Sequence, residues 1–288
     1  MRVSAVQRGF TLVELVVVIL VMGIMAFGTV SFITTSSQSY QRVASGDRLG
    51  SSARLIIDRL SRELRTSLPS SVRASSDGRC VEFVPVAAAG TYLTLAQGAV
   101  SSMAVIPLFE TPVIAASGAR VAVYPVSLAA VYDPGAVSPL ISTSLAALAI
   151  SSSNPATAAS AAVIQFSSAP DFAAESPQRR WFLVDEPVSF CVTSDGKLYR
   201  YQGDGVNYSY QPTQPAPPPL TTPAAGRWLV SDKVYSPAVC GGGGNSQFFR
   251  VAQATLQRNA IALIDLCLFD PQGGNLQLVH EVQLRNAP

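Results

Sequence analysis

Histidine is almost missing from this chain: His280 is the only one among 288 residues. That scarcity removes the side chain best suited to proton transfer near neutral pH. A Ser-His-Asp triad would have to use His280, yet this residue alternates with Leu276, Leu278, Val282 and Leu284 on the apolar face of a strand-like ending. It reads as packed rather than catalytic. There is no H-E-x-x-H and no cysteine-histidine pair at metal-ligand spacing, so neither a metal nor a cofactor is expected. The glycines at 241–244 lack the Gly-Lys-Ser/Thr of a phosphate loop, and Asp204-Gly205-Val206-Asn207 lacks the downstream glutamate of a calcium loop. Charge is scarce too. Only 13% of residues are charged, and 20 Lys and Arg stand against 18 Asp and Glu, which gives no overall attraction to nucleic acid. The four cysteines are widely spaced with no C-x-x-C pair, which speaks against a zinc site. Proline is absent before Pro69, so nothing in the first 68 residues interrupts a helix.

What the chain does contain is an apolar run from Phe10 to Ile33, with Glu14 as its only ionisable side chain. At about 1.5 Å per residue the run is long enough to cross a hydrocarbon core of roughly 30 Å. An uncompensated acid at the centre of such a span costs about 2.5 to 3.5 kcal/mol and less toward its ends, so Glu14 marks a paired or functional position. Arg2 and Arg8 precede the run with no acid beside them. By the positive-inside bias they hold the first residues in the cytoplasm and send the carboxyl terminus outward. A secretory signal fits poorly, because its small-residue cleavage site follows the apolar region, whereas here the small residue, Gly9, precedes it.

Beyond the span, Leu49, Ala53, Ile56 or Ile57, Leu60 and Leu64 recur at three-to-four spacing and predict one amphipathic helix reaching about Arg65. Its other face interleaves Arg42, Arg48, Arg54, Arg59, Arg62 and Arg65 with Asp47, Asp58 and Glu63. Mixed signs without stacking aromatics describe a solvated or subunit-facing surface rather than a nucleic-acid site. Gly23 and Gly28 stand too far apart for a GxxxG pair.

After Pro69 the pattern turns to short β-rich runs: Val81 to Val86, Thr91 to Leu95, Arg120 to Val126, Trp181 to Val192, Lys197 to Tyr201, Phe248 to Ala254, Ala260 to Phe269 and Leu276 to Leu284. Residues 151–162 and 202–226 read as loop insertions, the second including a stiff stretch from Pro212 to Pro219. On the oxidising side of a membrane, Cys80, Cys191, Cys240 and Cys267 favour two disulfides. Four cysteines allow three connectivities. Cys80 and Cys191 lie in strand-like runs suited to a staple between distant strands, and Cys240 and Cys267 would then close the carboxy-terminal part. The expected fold class is α+β, with one long amino-terminal helix against an antiparallel β-rich head.

The stretch Gly9-Phe10-Thr11-Leu12-Val13-Glu14 and the apolar run behind it resemble the amino terminus of type IV prepilins and pseudopilins. The resemblance implies a prepilin peptidase that cuts between Gly9 and Phe10 and methylates the Phe10 amine. It also implies a register-setting salt bridge from Glu14 to that amine, chiefly on the neighbouring subunit. Its boundaries would be a cleaved leader at 1–9, a transmembrane helix and filament core at 10–33, an amphipathic outer half at 34–68 and a periplasmic head at 69–288. Within the superfamily, Leu55-Ile56-Ile57-Asp58-Arg59-Leu60-Ser61-Arg62-Glu63-Leu64-Arg65, Cys80-Val81-Glu82-Phe83-Val84-Pro85-Val86, Glu186-Pro187-Val188-Ser189-Phe190-Cys191-Val192 and Leu278-Val279-His280-Glu281-Val282-Gln283-Leu284-Arg285-Asn286 resemble MshO-type minor prepilins of the MSHA (mannose-sensitive haemagglutinin) pilus. That implies a non-enzymatic subunit that primes or caps a pilus. Its partners would be other minor and major pilins and the inner-membrane assembly platform, with a single membrane span and no nucleic acid. It would reside in the inner membrane, then at the pilus tip. A J-type tip pseudopilin of a type II secretion system and a tip adhesin are the alternatives.

Overall fold

The computed structural model describes residues 11–108, 119–132, 145–147, 162–166, 168–170, 172, 174–202, 226–240, 247–254, 258–270 and 274–284. Its first element, α1 (Leu12–Arg65), is a single α-helix with Glu14 in its first turn and Arg62 and Arg65 in its last. Both placements suit the helix dipole. The chain then runs through β1 (Arg73–Ala74), β2 (Cys80–Phe83), β3 (Val86–Thr94), β4 (Ser102–Val105), β5 (Arg120–Ala122), the short α2 (Leu128–Tyr132) and β6 (Leu145–Ala147). There follow β7 (Ala162–Phe166), β8 (Arg180–Val184), β9 (Val188–Val192), β10 (Leu198–Gln202), β11 (Arg227–Ser231), β12 (Val234–Tyr235), a short 3-10 turn (Pro237–Cys240), β13 (Phe249–Ala252), β14 (Ile261–Asp270) and β15 (Gly274–Gln283).

Two compact units divide the chain: Met1–Leu49 with Asp270–Gly274, and Gly50–Phe269 with Asn275–Pro288. In the first, α1 is exposed on every side from Leu12 through Val43. Within this unit Ser45 Oγ of the helix donates to Asp270 Oδ2 at 2.7 Å.

The second unit is antiparallel throughout its paired strands. A five-stranded sheet runs β1-β2-β9-β10-β11, and a six-stranded sheet runs β5-β8-β3-β4-β7-β6. A third joins β12, β14 and β13, with β15 also on β14. The last four turns of α1 bury Ala53, Ile56, Ile57, Leu60 and Leu64, the stripe that the spacing predicted. Glu63 on this segment bonds Arg200 of β10 at 2.9 Å, so the helix end packs on the five-stranded sheet. The chain leaves it through backbone bonds that stitch the exit to β2 and β3: Leu68 N–H to Val84 C=O at 2.8 Å and Val86 N–H to Thr66 C=O at 3.2 Å.

The six-stranded sheet carries its own core around Trp181, Met103, Ile164, Leu183 and Tyr92. Gly90 lies opposite Trp181 in the β3–β8 ladder, and a Cβ there would stand 2.9 Å from the indole nitrogen. Only glycine admits that close approach. The fold is thus α+β, one long helix with antiparallel sheets, as the sequence led one to expect. Two runs divide where a single strand was expected. Pro85 separates β2 from β3, and Asp185-Glu186-Pro187 separates β8 from β9. A proline has no amide to give a ladder, and here each break moves the chain from one sheet to another.

Candidate functional site

The first described residue, Thr11, starts the helix. Its carbonyl accepts the Leu15 N–H at 3.2 Å, and its hydroxyl accepts the Glu14 N–H at 3.3 Å. Thr11-Leu12-Val13-Glu14 therefore has the spacing of a capping box, with threonine at the cap and glutamate three residues on. The sequence reading singled out Glu14 and missed Thr11, although Thr-x-x-Glu before an apolar run is a readable signal. Glu14 is exposed in the first turn, where its charge meets the positive end of the helix dipole. Gly9, Phe10, Arg2 and Arg8 lie outside the described residues, as do Asp204-Gly205-Val206-Asn207, the 212–219 proline stretch and the glycines at 241–244.

Large apolar side chains dominate this exposed surface: Leu12, Ile19, Met22, Met25, Phe27 and Phe32 are all more than half exposed, Phe27 at 80%. An apolar surface this long is not left to water in a folded protein, so it marks a surface for lipid or for other helices. The hydroxyls of Thr29, Thr34 and Thr35 do not break the pattern. Thr29 donates to the Met25 carbonyl, and Thr34 and Thr35 each donate to the Ser31 carbonyl at 2.9 Å. Backbone groups thus satisfy them without water. Gly23 and Gly28 have nothing within 4 Å of an added Cβ.

In the head, Cys80 is bonded to Cys191 and Cys240 to Cys267. Cys80 and Cys191 face each other directly in the β2–β9 ladder and are packed by Tyr199 and Tyr201. Burial pushes the Tyr201 phenol up to about 12. The same face of β2 carries Glu82, two residues from Cys80, and with it a buried charge network that the sequence reading did not find. Arg73 reaches Glu82 Oε1 through Nη2 at 2.5 Å and Nε at 2.8 Å. Ser189 Oγ donates to Glu82 Oε2 at 2.9 Å. The Arg73 guanidinium lies 3.6 Å from the Tyr132 ring centroid, and the Tyr132 hydroxyl donates to the Ser71 carbonyl at 2.7 Å. Burial raises the Glu82 pKa above its usual 4.5, and Arg73 and Ser189 offset that only in part. The alternation Cys80-Val81-Glu82-Phe83 was the available signal, since it puts an acid on the face that carries the disulfide. His280 is half-buried on β15.

No significant match to this chain was found among curated proteins or among solved structures. The family model described as Prokaryotic N-terminal methylation motif matches residues 5–30, the segment that holds Glu14, the Thr11 cap and most of the exposed apolar helix. That match makes the amino-terminal segment similar to those of type IV prepilins, and the helix behind it is long and apolar enough to cross a membrane.

Proposed function

We propose that this protein is a non-enzymatic minor prepilin of the MshO kind, which primes or caps an MSHA-type pilus. The observation that carries the reading is the helix surface from Leu12 to Ile33, apolar and exposed on every side, behind a capped Glu14. In this reading prepilin peptidase cuts between Gly9 and Phe10, and the Phe10 amine is methylated. Residues 10–33 then leave the inner membrane to pack among neighbouring pilin helices, where Glu14 neutralises an amine and sets the register. Residues 34–68 link that packing to a periplasmic head at 69–288. A head this large opposes regular stacking beneath it and so favours the tip.

The test is a deletion strain in which filament retraction is also disabled. The expected result is loss of surface pili, recovered by the intact gene and not by Glu14→Gln, with the mature protein present in sheared fibres. Normal pili with lost surface adhesion would instead identify a tip-binding subunit. Normal pili with lost protein secretion would identify a J-type pseudopilin.

A further inference from the structure

The helix of the first unit carries its own measure of membrane depth. Glu14 and Thr35 are separated by about 32 Å along the axis at 1.5 Å per residue. With an ordinary tilt of about 20° that projects to about 30 Å, the thickness of a hydrocarbon core. Between them Thr29 donates to the Met25 carbonyl, and Thr34 and Thr35 close the series on the Ser31 carbonyl. Past Thr35 the character changes at once. Four polar residues, Ser36, Ser37, Gln38 and Ser39, follow in a row, then come Tyr40, 76% exposed, and exposed Arg42. Arg42 makes no hydrogen bond or ion pair among the described residues. Tyr40 and Arg42 fall about 8 to 11 Å beyond Thr35. A headgroup layer is about 5 to 8 Å deep on each side, and an arginine can bend its stem back toward it.

We infer that, before assembly, Glu14 lies at the inner headgroup boundary and that Tyr40 and Arg42 form the outer one, with the Arg42 guanidinium bound to lipid phosphate. This rests on the membrane-anchored reading above and adds a ligand and a depth to it. Glu14 then keeps its carboxylate among headgroups and water while the protein waits in the membrane, and is desolvated only on transfer to a filament. Aromatic and basic side chains at the two edges of a span are the anchors expected to fix such a depth.

The experiment uses the full chain in phosphatidylcholine vesicles containing lipids with a nitroxide either on the headgroup or at mid-chain. Tryptophan is introduced singly as Leu12→Trp, Phe32→Trp and Tyr40→Trp, and the parent chain gives the background. Headgroup quenching should exceed mid-chain quenching about twofold for Leu12→Trp and Tyr40→Trp, with the order reversed for Phe32→Trp. Arg42→Gln, added to Tyr40→Trp, should halve the headgroup quenching. A loss in phosphatidylcholine alone identifies the phosphate of any phospholipid, and a loss only when phosphatidylglycerol is present identifies an anionic lipid. No loss in either overturns the role of Arg42. Mid-chain quenching of Leu12→Trp overturns the interfacial position of Glu14 while leaving the span itself intact. No quenching at any of the three positions overturns the membrane reading on which the inference rests.

Discussion

Thr11 and Glu14 are three residues apart, yet they answer different questions. The Thr11 hydroxyl satisfies an amide that the helix cannot satisfy internally, so Thr11→Ala should cost the first turn about 1 kcal/mol. Thr11→Ser should retain most of it. Amide hydrogen exchange of residues 12–15 in detergent micelles reads this directly. Glu82 offers a second test at this scale. Its folded pKa is raised by burial, so the folded state holds the proton more tightly than the unfolded chain. The contribution of Glu82 is therefore fullest below its ordinary 4.5 and declines as pH climbs through the raised value. Denaturation midpoints followed across that window should fall with rising pH in the parent and stay flatter in Glu82→Gln. Removing the cation instead, with Arg73→Met, leaves a buried carboxylate and should destabilise by about 3 to 5 kcal/mol.

A helix that begins in one solvent and ends in another cannot be judged by one amphipathic pattern. In α1 the apolar residues surround the axis up to Ile33, then narrow to a stripe that is buried from Leu49 onward. Leu60, fully buried, and Leu55, 71% exposed, lie on opposite sides of that later stretch. Leu60→Ala should cost about 2 to 5 kcal/mol, whereas Leu55→Ala should stay within about 0.5 kcal/mol. Urea midpoints in detergent distinguish the two. This element was legible because no proline interrupts it and its period is sustained. Terminal β15 was legible for a similar reason, its strict alternation ending on buried Val282 and Leu284. The strands β4, β7 and β11 were not read: they are short or poor in alternation, and their place in a sheet is set by partners far away in sequence. Arg73 and Glu82 escaped for the same reason, because an ion pair between neighbouring strands depends on a register that neither strand specifies alone.

For the whole molecule, the two disulfides differ chiefly in how much chain they enclose. Cys80 and Cys191 are 111 residues apart, Cys240 and Cys267 only 27. By loop-closure entropy the first should contribute about 5 kcal/mol and the second about 3.5 kcal/mol. Paired Cys→Ser variants should rank in that order by thermal unfolding in oxidising buffer, and dithiothreitol should abolish the difference between each variant and the parent.

The position of the longer bridge has a mechanical consequence. A pulling force that enters the head through α1 first meets the short backbone stitches of Thr66 and Leu68 to Val86 and Val84. If those peel away, the chain from Arg65 to Cys80 can pay out by at most about 50 Å at full extension. Tension then reaches a covalent bond. For any load that leaves the head beyond Cys191, the force crosses from sulfur to sulfur, and the chain between the two cysteines, including the whole six-stranded sheet, is relieved of strain.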